Sequence, residues 1–385
     1  MPPTYPIPKR ATVFLLMALF TLFTHQAKPD GVKCNNLDLL GTLDTLGESV
    51  SVSVVGTTAY VADFGSGLLI IDISNPSIPK LIGSYDTPRL AIDIAVVEEI
   101  AYVADGTSGL QIFNISNPDT PELLGSFENM FFAYGIAVVK NTAYISDSNA
   151  SIHIVDVSDP ASPKLLSSHN APGRTYGITV VETTVYASSN YSGLRIIDVS
   201  DPRTPKLIGT YDTPDRAYDV SVIGSIAYIA DSNSGLQVID ISNPISPSLL
   251  GSYDTPGQAR GVSVVGTTVY IADLDSGLQL IDVSTPSKPI SLSSFMTTDI
   301  ALSVTVADSI AYAACSLSGL QIIDVSDCPQ CPADLNNDGQ INSADIQAFL
   351  NAYSMNEPLA DLNGDGQTDF IDISAFLGSY ATGCP

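Results

Sequence analysis

A tyrosine recurs every 42 residues along most of the chain, without one insertion or deletion. These tyrosines are Tyr60, Tyr102, Tyr144, Tyr186, Tyr228, Tyr270 and Tyr312. A fixed period of this length is typical of propellers and solenoids, in which each repeat packs only against its neighbours. The spacing therefore indicates seven equivalent structural units.

Each unit contains four short runs rich in Val, Ile and Tyr, separated by Gly, Pro, Asn and Asp. In the fifth unit, and at its junction with the sixth, these runs cover residues 227–231, 235–242, 249–253 and 261–265. Such runs are typical of β-strands, and they lack the 3.6-residue period of a helix. Four strands in roughly 40 residues are typical of a propeller blade. The sequence predicts an all-β, seven-bladed β-propeller with four-stranded blades, and an open β-solenoid is the alternative.

The two ends of the repeated region are complementary. The first unit begins with an outer-strand run at residues 39–42, and the last unit stops after the third-strand run at residues 319–325. If the Val-rich run is the innermost strand, the last blade needs one strand from the N-terminal end. This overlap predicts a ring closed by the N-terminal strand, with no unpaired edge, and a propeller domain spanning residues 34–327.

Two cysteines mark the predicted seam of the ring. Cys34 and Cys328 are seven periods of 42 residues apart, so both occupy one position of the repeat, which Pro76 fills in the first linker. In a closed ring the two positions meet. The spacing predicts a Cys34–Cys328 disulfide, and two unrelated cysteines are the alternative.

Composition and the N-terminal segment narrow the class of protein. The chain has 15 Lys and Arg against 41 Asp and Glu, a formal net charge of −26, which argues against nucleic acid and anionic membrane surfaces as partners.

Residues 1–27 are typical of an export signal, since Lys9 and Arg10 precede an apolar run at 11–23 that is short for a membrane span. We expect cleavage near Ala27, a secreted or cell-surface protein that allows disulfides, and no later membrane span; an uncleaved anchor is the alternative.

The third-strand run recurs as Leu-Leu-Ile-Ile-Asp at residues 68–72, with variants at 152–156, 194–198 and 320–324. This motif resembles the LVIVD repeat family of exported bacterial and archaeal proteins, over residues 39–326. The resemblance implies a propeller fold and no common chemistry.

Two sets of aspartates recur in most units. We predict that both sets cap backbone N–H groups in turns, with metal binding as the alternative. One set is Asp63, Asp105, Asp147, Asp231 and Asp273, and the other is Asp72, Asp156, Asp198, Asp240, Asp282 and Asp324.

The loops before the innermost strands differ between units, and several carry aromatic residues or arginines. In a propeller these loops surround the mouth of the central channel, so variable aromatic and arginine residues there predict a recognition face. Channel-lining side chains without a ligand are the alternative. The predicted binding residues are Arg89, Phe131, Phe132, Tyr134, Arg174, Tyr176, Tyr191, Arg216, Tyr218 and Arg260.

Signals for catalysis are weak. After loss of the signal only His153 and His169 remain, and we expect His153 to be a satisfied structural residue. Asp93 and Asp219 share one position of the repeat at the innermost strand, and two inward carboxylates are the minimum for glycoside hydrolysis. We name them as the only catalytic candidates.

Two segments after the propeller, residues 334–345 and 361–372, follow the ligand spacing of EF-hand loops, with Gly at position 6. Hard oxygen donors in this number favour Ca²⁺ over Mg²⁺, so we expect two bound calcium ions. The predicted ligands are Asp334, Asn336, Asp338, Gln340, Asn342 and Asp345 in the first loop, and Asp361, Asn363, Asp365, Gln367, Asp369 and Asp372 in the second.

The repeated loop and helix resemble a dockerin over residues 331–384, with helices expected at 343–353 and 370–380 and Asp rather than Glu at position 12. The resemblance implies docking onto a cohesin-like protein through Ser343-Ala344 and Phe370-Ile371, which differ between the halves. We expect a small all-α domain at residues 328–385. Cys331 and Cys384 bracket the module and are predicted to form a disulfide, which leaves Cys315 as a buried free thiol.

The sequence thus favours a secreted, non-catalytic recognition or scaffold propeller, attached to an extracellular or cell-surface assembly through the calcium module. A protein or a polysaccharide is the expected ligand of the propeller face. One alternative is a polysaccharide-degrading hydrolase or lyase within a cellulosome-like complex. Another is a surface structural protein that binds nothing small.

Overall fold

A computed structural model describes residues 37–170, 173–326 and 343–355, together with the single residues 360, 373 and 376. The described chain forms 28 strands in seven antiparallel sheets of four strands each. None of the helical residues in these ranges belongs to a helix long and apolar enough to cross a membrane.

The strands are numbered in chain order, and each sheet is one blade. Blades 1 and 2 contain β2 (Ser49–Val55), β3 (Thr58–Asp63), β4 (Gly67–Asp72), β5 (Lys80–Tyr85), β6 (Asp93–Val97), β7 (Ile100–Ala104), β8 (Leu110–Asn114) and β9 (Glu122–Phe127). Blades 3 and 4 contain β10 (Ala133–Val139), β11 (Thr142–Asp147), β12 (Ser151–Asp156), β13 (Lys164–Asn170), β14 (Ile178–Val181), β15 (Thr184–Ser188), β16 (Leu194–Asp198) and β17 (Lys206–Tyr211). Blades 5 and 6 contain β18 (Asp219–Ile223), β19 (Ile226–Ala230), β20 (Leu236–Asp240), β21 (Ser248–Tyr253), β22 (Gly261–Val265), β23 (Thr268–Ala272), β24 (Leu278–Asp282) and β25 (Ile290–Phe295). Blade 7 contains β26 (Ser303–Ala307), β27 (Ile310–Ala314), β28 (Leu320–Asp324) and β1 (Asp38–Leu43).

The first strands of neighbouring blades contact one another around a closed ring, from β2 through β6, β10, β14, β18, β22 and β26 back to β2. They are therefore the innermost strands. In blade 7 the outermost strand is β1, which pairs antiparallel with β28 and places Asp38 opposite Asp324. The predictions of a seven-bladed ring, four-stranded blades and closure by the N-terminal strand are confirmed.

The core lies between neighbouring blades. The second and third strands of each blade are almost fully buried, because both of their faces pack against other blades. Between blades 1 and 2, for example, Tyr60 and Ile70 pack with Val103 and Phe113. Each fully buried side chain of this size stabilises the fold by about 1.5 to 3 kcal/mol. The tyrosine that defines the period is at most 8% exposed in every blade, so its recurrence reflects packing.

The ring has two faces, which are named here by their loops. The upper face carries the loops from the outermost strand of one blade to the innermost strand of the next, and the loops joining second and third strands. The lower face carries the turns between first and second strands and the proline-containing linkers between third and fourth strands. The predicted recognition residues all belong to the upper face.

Beyond the propeller, helix α1 (Ser343–Met355) confirms the first predicted helix. Its Phe349 is fully buried and stacks on Phe376, with ring centroids 4.2 Å apart. The second helix, predicted at 370–380, falls almost entirely outside the described residues. Ile373 and Phe376 are helical and buried.

Candidate recognition face

The buried aspartates of the upper face fasten the loop that leads into each blade. Asp105 accepts hydrogen bonds from the Thr87 hydroxyl at 2.7 Å and from the Arg89 N–H at 3.0 Å. Asp231 and Asp273 repeat this arrangement with Thr213 and Thr255, at 2.6 and 2.7 Å. Burial raises the pKa of Asp231 to about 6 and raises the pKa values of Asp105 and Asp273. These carboxylates have a structural role.

Asp63 and Asp147 cap N–H groups in their own way. Asp63 accepts bonds from Gly65 and Ser66 in the following turn, as predicted. Asp147 accepts bonds from Phe131 and Phe132 at 2.8 and 2.9 Å. The capping role is confirmed, but outside blade 1 the capped groups lie mainly in the loop before the innermost strand, which tertiary packing brings close.

His153 is a satisfied structural residue, as predicted. Its Nε2 lies 3.1 Å from Asp147, and Ser168 lies 3.2 Å from its Nδ1.

The aspartates of the lower face form one turn in every blade. Each accepts a bond of 2.7 to 2.9 Å from the N–H of the serine two residues later, and Asn114 replaces Asp in blade 2. The hydrogen bonds of these serines lower the pKa values of Asp72, Asp156, Asp198, Asp240 and Asp324. The predicted capping role is confirmed here too.

Asp93 and Asp219, the catalytic candidates, join innermost strands of neighbouring blades. Asp93 accepts bonds from Ser51 of blade 1 at 2.7 Å and from Ile136 of blade 3 at 2.8 Å. It also accepts a bond from its own neighbour, Ile94. Burial raises the pKa of Asp93 to about 6, against the opposing effect of these bonds.

Asp219 repeats the arrangement three blades away. It bonds the N–H groups of Val220 at 2.8 Å and Val262 at 2.9 Å, and burial raises its pKa. Asp93 therefore connects its blade to both neighbouring blades, whereas Asp219 connects its blade to the next one through a single oxygen. Both carboxyl groups have a structural role.

A continuous row of side chains follows the innermost strands on the upper face. This aromatic arc consists of Phe132, Tyr134, Tyr176, Tyr218 and Arg260. Successive ring centroids are 4.9, 4.9 and 5.0 Å apart, and the Arg260 guanidinium lies 3.8 Å from the Tyr218 centroid. Aromatic pairs at such separations contribute about 0.5 to 1.5 kcal/mol beyond burial.

The arc covers only part of the ring. Tyr134, Tyr176, Tyr218 and Arg260 share one position of the repeat in blades 3 to 6. The same position carries aliphatic residues in the other three blades, namely Leu302, Val50 and Ile92. The sequence pattern fixes the position, and the structure adds the contact between neighbours.

An exposed layer surrounds the arc. Phe131 is 70% exposed and Tyr191 is 62% exposed. Arg216 donates a 2.6 Å hydrogen bond to the Tyr191 hydroxyl, and its guanidinium lies 5.1 Å from that ring centroid. Arg174 is also exposed. Of the predicted binding residues, Arg89 stands apart, since it lies in blade 2 beside Asp105.

Sequence reasoning missed blade 4. In blade 4 the repeat position of Asp105 and Asp231 is occupied by Ser189, which is fully buried. The Ser189 hydroxyl, the Thr175 hydroxyl and the Asn190 side-chain oxygen have no hydrogen-bond partner among the described residues. Alignment of the repeats shows the substitution of Asp by Ser, but not the unpaired groups.

Other predicted sites fall mostly outside the described residues. Among the calcium ligands only Asp345 is described, and it is fully buried in the first turn of α1. The signal segment and Cys34, Cys328, Cys331 and Cys384 are not among the described residues. Cys315 is a buried free thiol, as predicted, and burial raises its pKa to about 12.

Comparisons with known proteins address the fold. A family model described as the LVIVD repeat matches residues 46–87, 88–129, 132–171, 172–213, 215–255, 256–297 and 300–330. The WD40 β-propeller domain of Doa1 is 10% identical, with a TM-score of 0.61, covering 75% of this chain and 96% of that chain. The computationally designed Ika8 protein is also 10% identical, with a TM-score of 0.57, covering 74% of this chain and 98% of that chain. No curated protein matches the chain. At such low identity the two structures show a shared fold alone.

Proposed function

The chain belongs to the LVIVD repeat family, and we propose that its propeller is a non-catalytic recognition unit that binds its ligand on the upper face of blades 3 to 6. The aromatic arc carries this proposal. One position of the repeat is aromatic or arginine in four adjacent blades and aliphatic in the other three. Blades 7, 1 and 2 pack into the same ring with aliphatic residues at this position. Packing alone therefore does not require tyrosine or arginine in the other four blades.

The exposed layer supports binding rather than packing. Phe131 and Tyr191 leave most of their surface in water, so folding gains little from their size. Exposed aromatic side chains beside arginine are typical of binding surfaces, where they supply much of the affinity. The lower face differs, since its turns repeat one structural arrangement in all seven blades.

A capture experiment tests this proposal. Mature protein, immobilised, is presented with an array of polysaccharides and with extracellular proteins, and the same is done with Phe131→Ala and Tyr191→Ala. We expect both variants to retain the ligand at least tenfold less well than the unaltered protein, because each removes a large exposed ring. Ile245→Ala is the matched control, since Ile245 is 75% exposed on the lower face. Equal retention by all variants would contradict the assignment of the upper face.

We further propose that the protein is secreted and that its C-terminal module attaches it to a larger assembly in a calcium-dependent way. The two loops with EF-hand spacing support this proposal, because Asp, Asn and carbonyl oxygens are the donors that Ca²⁺ prefers. Asp345, the position-12 residue of the first loop, is buried at the start of α1, which suits a metal ligand. Bound calcium would supply part of the folding free energy of a module this small.

Calcium titration and a pull-down test the attachment. Calorimetry of the full chain is expected to show two calcium ions bound, and a chain ending at Asp327 none. A partner retained in Ca²⁺, released by EDTA and lost on truncation would support docking. Two bound ions without a partner would reduce the module to a stabilising element, and absence of calcium binding would refute both roles.

A further inference from the structure

We propose that the ligand of the upper face is an acidic polysaccharide, whose sugar carboxylates bind between the arginines of blades 4 to 6. This inference rests on the proposed recognition function and narrows it to one class of ligand. The arginines concerned are Arg174, Arg216 and Arg260.

Among residues 37–170 and 173–326, none of these three arginines forms an ion pair with an acidic side chain, although the protein is strongly acidic. The chain has 41 Asp and Glu against 15 Lys and Arg. Yet among the described residues the ion pairs within 4.0 Å involve only His153 with Asp147 and Arg195 with Asp212. No ion pair among the described residues therefore neutralises these guanidinium groups, and each can pair with an external anion.

The arginines also lie close together. Arg260 stacks on the ring of Tyr218, and the hydroxyls of Tyr218 and then Tyr191 raise the pKa of Arg216. Two guanidinium groups thus share Tyr218 as a neighbour. Arg174 lies two residues before Tyr176, whose ring contacts those of both Tyr134 and Tyr218. Arginines grouped around one row of tyrosines can bind an anion together through charge-assisted hydrogen bonds.

One of these groups is incompletely hydrogen-bonded. The Arg260 Nε is buried and has no hydrogen-bond partner among the described residues. A guanidinium offers donors in a planar fork that matches a carboxylate, and such charge-assisted bonds are stronger than neutral ones. Arg260 as a whole is only partly buried, so an oxyanion can approach the side chain from solvent.

The main chain of the upper face argues for a polysaccharide over a peptide. Extended peptides are commonly bound by main-chain hydrogen bonds to a free strand edge. Here backbone groups of the upper loops already bridge adjacent blades, as between Asn190 and Ala217 and between Ser232 and Ala259. Side chains therefore remain for recognition. Exposed rings suit the flat apolar face of a sugar, and the arginines suit its carboxylate.

Binding of defined oligosaccharides to the full mature chain tests the inference. The probes are oligogalacturonate and oligoalginate, a neutral cello-oligosaccharide of equal length, oligoglutamate and sodium sulfate. We expect the uronate oligomers to bind at least tenfold more tightly than the neutral oligomer, and to weaken as salt rises, because screening reduces the attraction of exposed charges.

Variants locate the charge. Arg174→Ala and Arg216→Ala are each expected to weaken uronate binding about tenfold, because each removes charged hydrogen-bond donors. Arg203→Ala is the matched control, since Arg203 is an exposed arginine on the lower face, and it should leave binding unchanged. Thermal melts of all three variants establish that each has folded.

The outcomes separate this inference from the proposed function. If neutral oligomers bind as tightly as uronates and Tyr191→Ala abolishes both, the upper face is a recognition site and the acidic ligand is wrong. Tighter binding of oligoglutamate would replace the polysaccharide with an acidic peptide, and competition by sulfate at equal molar concentration would reduce the ligand to a simple anion. If no probe binds and Tyr191→Ala changes nothing in the capture experiment, both proposals fail.

Discussion

Aspartates end strands on both faces of the ring, and the two sets differ in environment. On the upper face Asp105, Asp231 and Asp273 are fully buried, and burial raises their pKa values. On the lower face residues such as Asp72 and Asp240 are partly exposed, and hydrogen bonds from serine lower their pKa values. Both sets build the ring. On the upper face, buried carboxyl groups hold the loops in place. A surface that must present side chains in fixed positions requires this.

The upper face is itself uneven. Its structural aspartates recur around most of the ring. Tyrosine and arginine, by contrast, occupy the repeat position of Tyr134 only in blades 3 to 6. A residue repeated in nearly every blade serves the architecture, and a residue restricted to adjacent blades is available for binding. Four predictions test this contrast between the faces, in order of decreasing effect.

The largest effect is expected at the seam of the lower face. The pairing of Asp38 with Asp324 brings the two ends of the ring together. Cys34 precedes Asp38 by four residues, and Cys328 follows Asp324 by four. If they form the predicted disulfide, Cys34→Ser should lower the free energy of unfolding by about 3 to 5 kcal/mol, since the closed loop is long. Urea unfolding measures the loss. A free thiol at either cysteine in non-reducing peptide mapping would rule the bridge out.

The next largest effect is expected on removal of Asp273, one of the buried aspartates that fasten the upper-face loops. Asp273→Ala leaves the Thr255 hydroxyl and the Gly257 N–H without their acceptor, and should cost about 2 to 3 kcal/mol. Asp240→Ala removes only the bond from Ser242 on the lower face and should cost much less. Urea unfolding of the two variants compares them directly. Equal losses would mean that burial does not distinguish the two sets.

Asp231 on the upper face and Asp240 on the lower face should also respond to pH with opposite sign. The pKa of Asp231 is about 6 in the folded protein, above its ordinary value near 4, so folding favours the protonated form. Its contribution to stability should therefore decrease by about 1 to 2 kcal/mol as pH rises from about 4 to 6, and remain level above that. Asp231→Asn should remove this slope.

Asp240 provides the contrast. Its pKa is lowered on folding, so its contribution is present above about pH 4 and is lost as pH falls below that value. Urea midpoints between pH 3 and 7 for the unaltered protein, Asp231→Asn and Asp240→Asn measure both slopes. Identical slopes in all three proteins would contradict the difference in environment.

The smallest effect concerns Cys315, which occupies the repeat position of Asp273 in blade 7. Because burial raises the pKa of its thiol to about 12, we expect alkylation at pH 8 to be negligible in the folded protein and rapid in urea. Mass spectrometry of the Cys315 peptide follows the reaction. Labelling of the native protein at the rate of a free cysteine would show that this part of the upper face opens.

The sequence predicted the ring well because a fixed 42-residue period leaves little choice of architecture. The number of blades, their four strands and the closure by β1 all follow from counting. Contacts between blades were harder to predict. Asp93 suggested chemistry because it shares a position with Asp219, whereas its partner Ile136 lies 43 residues away and becomes a neighbour only when blades 2 and 3 pack.

The sequence also predicted only part of the candidate site. The position shared by Tyr134, Tyr176 and Tyr218 could be read from the repeat. The contacts between their rings, and the approach of Arg216 and Arg260 to one tyrosine, depend on the curvature of the propeller ring. Arg89 occupies the corresponding type of loop in blade 2, where its N–H bonds Asp105 and where Ile92 stands at the repeat position of these tyrosines.

Hydrogen exchange of the protein, with and without the polymer retained in the capture experiment, tests the role of the upper face most directly. We expect added protection at residues 128–134 and 214–218, in the upper loops of blades 3 and 5, and none at residues 74–79 and 242–247 on the lower face. Protection confined to the lower loops, or to the upper loops of blades 7, 1 and 2, would contradict recognition by the aromatic arc.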